Sequence, residues 1–275
     1  MKHKITVIIS SLLLIFNFTS VAFAKTEKQF KVNAKNAIAI DGATNEILFE
    51  QNADKIVKIA STTKIVTALV TIERGNLDKV YTVSKNAASV RGSKVGYKAG
   101  ENITVRELLY GLMFKSGNDA AITIAEGTSG SVEEFSKLMN HFASSIGITD
   151  SHFITPHGLD ITDHYSSAYD LAILTSKGMK SEVFREIVGS KSITKDKYNF
   201  TRDYNNINKI LYMIEGANGV KTGYTGEAGK CLVSSFDYKG RDIIIVVLNC
   251  PDRWKVTEKI LDYVKENSAY WQRIF

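Results

Sequence analysis

The stretch STTKIVTALVTIERG, residues 61–75, carries the strongest fold signal in this chain of 275 residues. Behind its opening tetrad, apolar residues recur with the spacing of one buried helix face. These residues are Ile65, Ala68, Leu69 and Ile72. Gly75 then stands where a C-terminal helix cap belongs. The pattern predicts a buried helix that begins with Ser61 and Lys64, three residues apart and therefore on one helix face.

Strand signals lie on both sides of this helix, near the two ends of the chain. Five runs with strand character are bounded by turn residues, at 37–41, 46–50, 219–224, 230–236 and 242–249. Gly42 marks the turn between the first two runs, and Lys239-Gly240 is a two-residue hairpin turn between the last two. The sequence therefore predicts a mixed α/β fold, in which one five-stranded antiparallel sheet is assembled from both chain ends and flanked by helices.

The middle of the chain has helical signals. Capping boxes begin at Thr104 and Ser131, and an acidic variant begins at Ser167. We expect residues 76–165 to be mostly helical and to form a helical lobe, with a cleft between this lobe and the sheet as the natural place for a site. The predicted sheet lobe comprises about residues 25–75 and 166–275, closed by a helix from about Asp252.

The first 24 residues have the features of an export signal. Lys2 and Lys4 precede an apolar run at 5–18, and Ala22-Phe23-Ala24 is a small-x-small cleavage site. A single-span membrane anchor is the competing interpretation, but the run is shorter than the roughly 20 residues that a bilayer core requires. We therefore expect residues 1–24 to be a signal peptide and the exported, extracytoplasmic protein to begin near Lys25.

Composition narrows the classes of function. Hydrophobic residues make up 44% of the chain and charged residues 23%, as in ordinary globular proteins. Loss of the signal peptide removes two lysines and lowers the net charge from +6 to +4, which suits an anionic cell surface but not a nucleic-acid partner. The five histidines show no metal-ligand spacing, so no metal or cofactor is expected. Export would allow a disulfide between Cys231 and Cys250, but the hairpin register places Cys231 opposite Leu248 and favours two buried free thiols.

Ser61 and Lys64 have the chemistry of a nucleophile and its base. A serine attacks only when a base takes its proton, and burial beside another cation can lower a lysine pKa from about 10.4 toward neutrality. The start of the helix also offers free N–H groups to a developing oxyanion. Alone the tetrad is weak, because Ser192 and Lys195 have the same spacing without an apolar helix behind them.

Two further elements strengthen the tetrad. The triplet SGN at 116–118 lies between predicted helices, although a turn would also explain it and SKN at 84–86 fits the same loose pattern. The triplet KTG at 221–223 occurs once, on a predicted strand, where glycine allows another backbone to approach closely. The three elements occur in order, 55 and then 105 residues apart, so their chance agreement is improbable.

With these elements the chain resembles the low-molecular-weight penicillin-binding proteins that act as D-alanyl-D-alanine carboxypeptidases. The resemblance extends from about Ala37 to Tyr263. It includes four longer strings, SGNDAA at 116–121, TPHGLD at 155–160, HYSSAYD at 164–170 and GVKTGYT at 219–225. The resemblance implies a β-lactamase/transpeptidase-like fold, a peptidoglycan stem peptide as substrate and β-lactam antibiotics as covalent inhibitors.

The resemblance also implies a reaction. Ser61 would attack the carbonyl between the two terminal D-alanines while Lys64 accepts its proton, after which D-alanine leaves and water hydrolyses the acyl-enzyme. Ser116 and Lys221 would relay a proton to the leaving amine, and Asn118 would hold the substrate amide. The N–H groups of the oxyanion hole would come from Ser61 and Tyr224.

The substrate in this family ends in a free carboxylate, which calls for cationic and hydroxyl partners. Lys221 and Thr222 qualify by their motif, and Gly223 and Tyr224 lie beside them as substrate-binding positions. Arg253 qualifies by its place before the last predicted helix, with a solvated surface arginine as the alternative. His157 has acid-base chemistry, but between proline and glycine a structural loop role is favoured.

Two other functions use the same three elements. A class A-like β-lactamase needs a Glu-x-x-Leu-Asn loop, which the sequence lacks, and Glu133 and Glu134 belong instead to a predicted helix start. A non-enzymatic β-lactam sensor needs a membrane span to signal. The carboxypeptidase is therefore the favoured function.

The end of the chain bears on membrane association. Many members of the resembled family carry a second, all-β domain and a terminal anchor, whereas this chain stops at Phe275, so no C-terminal β-domain is expected. The spacing of Ile260, Leu261 and Val264 predicts a stripe packed on the sheet, with an interfacial membrane helix as the alternative. Release as a soluble exported enzyme is the favoured outcome.

Overall fold

The computed structural model describes residues 30–267, 270 and 271. From Val32 onward these residues form one compact unit. The predicted signal peptide at residues 1–24 lies outside the described residues, as do residues 272–275.

A five-stranded antiparallel sheet is the framework of the protein. The strands are β1 (Asn36–Asp41), β2 (Ile47–Gln51), β3 (Val80–Thr82), β4 (Asn102–Thr104), β5 (Ser192–Ile193), β6 (Tyr204–Asn205), β7 (Ala217–Thr225), β8 (Gly229–Tyr238) and β9 (Arg241–Leu248). The large sheet has the order β2-β1-β9-β8-β7, and the other strands form two small pairs, β3 with β4 and β5 with β6. Because β1 pairs with β9, the sheet is assembled from both chain ends, as predicted.

The helices lie mainly between β2 and β7 in the sequence. They are α1 (Lys64–Glu73), α2 (Lys85–Ser89), α3 (Val105–Phe114), α4 (Asn118–Ser129), α5 (Val132–Ser145), α6 (Ala168–Met179), α7 (Glu182–Gly189), α8 (Ile210–Met213) and α9 (Arg253–Glu266). Helix α6 packs against β1 and β9, and α9 packs against β8 and β9. Covered in this way, β1 is buried at every position, which explains its unbroken apolar run.

Two helix predictions need correction. The first helix begins at Lys64, because residues 60–63, including Ser61, form a tighter 3₁₀ turn. Residues 76–165 are also less helical than predicted, since they contain β3 and β4, and no helix spans residues 147–165. In both segments the backbone makes contacts with residues far away in the chain. The local spacing of apolar residues does not predict such contacts. The division into a sheet lobe and a helical lobe stays a prediction.

Local signals were reliable where a side chain caps its own helix. Thr104, Ser131 and Ser167 each accept a hydrogen bond from the backbone N–H three residues on, at 3.2, 3.1 and 3.0 Å. Each thereby satisfies a donor that the helix start leaves free. The three predicted caps are confirmed.

The C-terminal hairpin and helix also match expectation. Tyr238 pairs with Arg241 across a two-residue turn whose residues, Lys239 and Gly240, both have positive φ, as a tight β-hairpin turn requires. Ile260, Leu261 and Val264 are buried, so the stripe of α9 packs on the sheet. Cys231 and Cys250 are buried free thiols, as predicted. Among the described residues, no helix combines the length and the apolarity that a bilayer crossing demands.

Asp41, at the end of β1, is a buried carboxylate that joins the two ends of the chain. It accepts hydrogen bonds from the backbone N–H groups of Ala43 and Thr44 at 2.8 and 2.9 Å. Arg241 and the Tyr270 hydroxyl also donate to it, each at 2.7 Å. Burial alone would raise the pKa of this carboxyl, but these bonds outweigh burial and hold the pKa well below its usual range.

We expect Asp41→Asn to lower the free energy of unfolding by about 2 kcal/mol at pH 7, because the Arg241 guanidinium loses its carboxylate. Since the folded-state pKa is lowered, this stabilisation is present above the unfolded-state pKa of about 3.9 and is lost as the pH falls below it. Urea denaturation at pH 7 and at pH 3 measures both effects. The difference in the free energy of unfolding between Asp41→Asn and wild type should be smaller at pH 3. Asp54→Asn, at an exposed position, is the control, and an equal loss there would contradict the prediction.

Candidate active site

The three sequence elements meet in space. Ser61 lies in the turn before α1, and the SGN triplet ends the α3–α4 turn, with Asn118 as the first residue of α4. The KTG triplet lies on β7, the edge strand of the sheet. The Lys64 Nζ atom is 2.9 Å from Ser61 Oγ and 2.8 Å from Asn118 Oδ1. Lys221 Nζ donates to Ser116 Oγ at 3.0 Å. Five residues that sequence reasoning chose, separated by up to 160 positions, thus form one cluster.

Lys64 is fully buried and has a third partner that the sequence did not reveal. Its Nζ donates to the backbone carbonyl of His157 at 2.8 Å. Burial lowers the pKa of Lys64 well below its usual value, the positive charge of Lys221 lowers it further, and the carboxylate of Asp119 opposes this shift. The side chain is therefore predisposed to be a neutral amine, which can accept a proton.

Ser116 and Asn118 are held in place by their backbone conformation and by hydrogen bonds to Lys221 and to the loop 91–97. Ser116 has a positive φ of 57°, an uncommon conformation outside glycine that directs its hydroxyl to Lys221. The Asn118 Nδ2 group donates to the carbonyl of Arg91, and its backbone N–H donates to the carbonyl of Ser93, each at 2.8 Å. Asn118 therefore joins Lys64 to the loop 91–97, and its second Nδ2 hydrogen can still be donated to a ligand.

Asp119 is a buried residue whose role sequence reasoning missed. Its carboxylate accepts the backbone N–H groups of Val95, Gly96 and Tyr97 at 2.9, 2.8 and 3.2 Å. The loop 91–97 is thereby fixed to the first turn of α4, next to Asn118. An acidic residue in a first helix turn was visible in the sequence, but its distant partners were not.

The edge strand β7 approaches the Ser61 turn very closely at Gly223. A Cβ atom on Gly223 would lie 3.1 Å from the carbonyl oxygen of Ile59 and 3.2 Å from the backbone nitrogen of Ser61. Any larger residue would have to displace the Ser61 turn by a few tenths of an ångström, so glycine suits this approach. Lys221 and Thr222 are buried beside it, whereas the Tyr224 side chain is 68% exposed. Burial and the nearby charge of Arg253 lower the pKa of Lys221 to about 7.

Arg253 is not a solvated surface residue. Its Nη1 group donates to the carbonyls of Gly223 and Cys231, at 2.7 and 2.9 Å, from the first turn of α9. The alternative considered from sequence is therefore wrong, and Arg253 lies behind the KTG triplet. Its Nε atom is buried, so Nη2 is the guanidinium nitrogen left for a ligand.

His157 fits the predicted loop role. Its ring is buried, and its Nδ1 accepts the backbone N–H of Leu159 at 3.2 Å. Burial, and Lys64 when it is protonated, lower its pKa to about 3, so the ring is neutral in ordinary buffers. Its contribution to the cluster is the backbone carbonyl that meets Lys64, for which no sequence signal exists.

The two competing motif matches have ordinary structural roles. Ser84 caps α2, where its Oγ accepts the backbone N–H of Ala87 at 2.9 Å. Ser192 lies on β5 and pairs with Asn205. Within residues 30–267, 270 and 271, no group of three or more His, Cys, Asp or Glu side chains is placed to hold a metal ion.

Known proteins share both sequence and fold with this chain. A curated D-alanyl-D-alanine carboxypeptidase, DacF of Bacillus subtilis, is 36% identical over 96% of this chain and 71% of its own length. Another, DacC of Escherichia coli, is 35% identical over 92% of this chain and 66% of its own length. A crystal structure of a Streptomyces DD-transpeptidase superposes with a TM-score of 0.80 at 31% identity, covering 86% of this chain and 98% of the other.

A second solved structure, the D-alanyl-D-alanine carboxypeptidase DacD of Francisella tularensis, superposes with a TM-score of 0.76 at 33% identity. It covers 85% of this chain and 70% of the other. These neighbours confirm the predicted β-lactamase/transpeptidase-like fold. The profile of one family, described as D-alanyl-D-alanine carboxypeptidase, matches residues 23–252. The chain belongs to the D-alanyl-D-alanine carboxypeptidase family.

Proposed function

We propose that this protein is a serine carboxypeptidase that removes the terminal D-alanine from peptidoglycan stem peptides through an acyl-enzyme on Ser61. The observation that carries the proposal is the contact of 2.9 Å between Lys64 Nζ and Ser61 Oγ inside a buried cluster. Family membership supplies the substrate class, since the relatives in Bacillus subtilis and Escherichia coli carry the name of this activity.

The partners of Lys64 determine the direction of proton transfer. Two of them, the Asn118 Oδ1 atom and the His157 carbonyl, can only accept hydrogen bonds, so they take the two N–H groups of a neutral amine. The lone pair is then left for the third partner, the Ser61 hydroxyl. Lys64 thus accepts the Ser61 proton as Ser61 Oγ forms a bond to the substrate carbonyl carbon.

Stabilisation of the tetrahedral intermediate comes from backbone donors. The Ser61 nitrogen lies against Gly223, so the N–H groups of Ser61 and Tyr224 can both face one oxygen of the substrate. Lys221 and Ser116, hydrogen bonded to each other, then return a proton to the departing D-alanine amine. The acyl-enzyme is finally hydrolysed by water.

The carboxylate of the terminal D-alanine needs a cationic partner. Lys221, Thr222 and Arg253 lie on one side of the cluster, and Arg253 is held there by two backbone carbonyls. A penicillin has a carboxylate and a reactive carbonyl in a similar relation, so the same residues accept β-lactams as covalent inhibitors. The protein would act outside the cytoplasm, where its substrate lies.

A rapid β-lactamase is not favoured by the described structure. Glu133 and Glu134 lie in the first turn of α5. Lys137 Nζ donates to the Glu134 carboxylate at 2.6 Å in an exposed ion pair. Neither residue thus acts as the glutamate that a class A-like enzyme places beside its acyl-enzyme.

We expect Ser61→Ala to abolish both D-alanine release from a pentapeptide stem and covalent labelling by a fluorescent penicillin, because both reactions need the same nucleophile. Ser192→Ala is the matched control, since it has the same Ser-x-x-Lys spacing and should keep both activities. Labelling that persists in Ser61→Ala, or disappears in Ser192→Ala, would refute the choice of nucleophile.

The pKa of Lys221, lowered to about 7, predicts a pH dependence. If the protonated form binds the carboxylate, the rate constant for acylation by penicillin falls as the pH rises through about 7, because Lys221 then loses its proton. Lys221→Arg keeps its charge at these pH values and should lack this decline, although its overall rate is lower. Lys230→Arg, on the neighbouring strand, should keep the wild-type profile. If the acylation rate constant of Lys221→Arg fell with rising pH as it does in wild type, the titration of Lys221 would not be the cause of the fall.

Arg253→Lys keeps a positive charge but loses the planar group that bridges two carbonyls. We expect the peptide KM to rise about tenfold, with a smaller change in kcat, because ground-state and transition-state binding of the carboxylate weaken together. Arg74→Lys, at an exposed position at the end of α1, serves as control. An unchanged KM in Arg253→Lys would remove Arg253 from the carboxylate site.

A further inference from the structure

His164 is a buried histidine that no step of the proposed reaction employs, and it is 2% exposed. It precedes α6, in a segment where Tyr165 pairs with His152 and Ser166 pairs with Val57. The ring nevertheless reaches the turn that carries the nucleophile, because its Nε2 atom lies 2.8 Å from Thr63 Oγ1.

The partners of the ring assign its hydrogen atoms. Nδ1 faces the backbone N–H groups of Ile154 and Thr155, at 3.0 and 3.3 Å, and both groups can only donate. Nδ1 is therefore unprotonated, so the hydrogen of the neutral ring is on Nε2. It is donated to Thr63 Oγ1, and the Thr63 hydroxyl in turn donates to the carbonyl of Ala60 at 2.9 Å.

This chain of hydrogen bonds ends on the peptide unit before Ser61. Ala60 has a positive φ of 49°, an uncommon backbone conformation for alanine. The carbonyl of Ala60 and the N–H of Ser61 belong to one planar peptide and point in opposite directions. A bond that fixes the carbonyl therefore also fixes the direction of the Ser61 N–H, the oxyanion donor of the proposed reaction.

Gly158 shows how tightly this bond is enclosed. A Cβ atom on Gly158 would lie 2.0 Å from the Ala60 carbonyl oxygen and 2.5 Å from Thr63 Oγ1. The adjacent His157 supplies the carbonyl that holds Lys64. The loop around residue 158 thus contacts both the base and the peptide that precedes the nucleophile.

We propose that His164 is a positioning residue for acylation, which acts through Thr63 to hold the Ala60–Ser61 peptide and to aim the Ser61 N–H at the oxyanion. This inference rests on the proposed function, in which Ser61 is the nucleophile. His164 itself does not touch the substrate.

The electrostatic surroundings keep His164 in the form that this role needs. Burial lowers its pKa to about 4, the positive charge of Lys58 acts in the same direction, and Asp160 opposes them. His152 and Lys64 add to the lowering only when they carry a proton. His157 is a further titratable ring nearby, and a proton on either ring disfavours a proton on the other. A proton on Nδ1 would also face two N–H donors. The ring is therefore neutral at physiological pH.

Two pairs of variants test the role. His164→Asn places an oxygen near the position of Nδ1 and keeps the acceptor for Ile154 and Thr155, but it removes the donor to Thr63. Thr63→Val removes the hydroxyl at nearly constant volume, whereas Thr63→Ser keeps it. His152→Asn is the matched control, because His152 pairs with Tyr165, next to His164 in the chain. Its Nδ1 atom contacts the backbone carbonyl of Asp163 at an exposed position.

The readouts are the rate constant for acylation by a penicillin and the infrared band of the ester carbonyl in the acyl-enzyme. We expect acylation to be about tenfold slower in His164→Asn and Thr63→Val, less than the loss from removal of an oxyanion donor. Both variants should shift the ester band to higher wavenumber, since its hydrogen bonds weaken. Thr63→Ser and His152→Asn should match wild type. The double variant His164→Asn/Thr63→Val should be no slower than the slower single variant.

Three outcomes would overturn the inference: unchanged acylation in His164→Asn, additive losses in the double variant, or slower acylation with an unshifted ester band. If His164→Asn does not fold, the comparison of Thr63→Val with Thr63→Ser decides the question by the same readouts. Wild-type protein that is not acylated at all would refute the proposed function. Acylated wild type with unaffected variants would refute only the role of His164.

Discussion

The site depends on one buried amine. Lys64 Nζ is held by Ser61, Asn118 and the carbonyl of His157, three groups from separate segments of the chain. A buried ammonium is costly unless it is partnered or loses its proton, and Lys221 adds a second positive charge to the same cluster. The fold therefore favours a neutral Lys64, and the geometry of its partners directs the lone pair to the nucleophile.

The framework explains why these groups meet. Because β1 pairs with β9, the strand β2, which precedes the Ser61 turn, and the strand β7 belong to one sheet. At Gly223 the edge strand touches the Ser61 turn, and at Gly158 a loop touches the Ala60 carbonyl. At Gly158 the distance is too short for any side chain, and at Gly223 a side chain would fit only if the turn moved. The relative positions of nucleophile, base and carboxylate-binding residues are thus set by backbone contact.

Several buried side chains around the cluster hold neighbouring loops and turns in place by hydrogen bonds. Asp119 fixes the loop 91–97 through three backbone N–H groups, and that loop accepts hydrogen bonds from Asn118. His164 reaches the Ser61 turn through Thr63. Each of these residues is buried and hydrogen bonded to backbone groups of another segment, which restricts movement around the nucleophile. Such pre-organisation is what electrostatic stabilisation of a transition state requires.

The sequence by itself determined the five strands of the large sheet, the three helix caps and the members of the buried cluster around Ser61. These features depend on local chemistry: runs of apolar residues bounded by turn residues, a side chain that caps its own helix, and residue types whose reactivity is intrinsic. The placement of Ser61 and Lys221 within one cluster was inferred from motif order and from family resemblance. Both led to the same residues that the structure brings together.

Only the tertiary structure decided the form of residues 76–165, the position of Arg253 and the roles of Asp119 and His164. The helix prediction failed at the loops because a distant carboxylate or a strand bridge holds the backbone there. The Arg253 side chain is not solvated, because two backbone carbonyls, one of them 30 residues away in the chain, accept its hydrogen bonds. The contact between the His157 carbonyl and Lys64 could not be predicted from the sequence, because every residue has a backbone carbonyl. Contacts between residues far apart in the chain, above all those made by backbone groups, leave no pattern in the order of side chains.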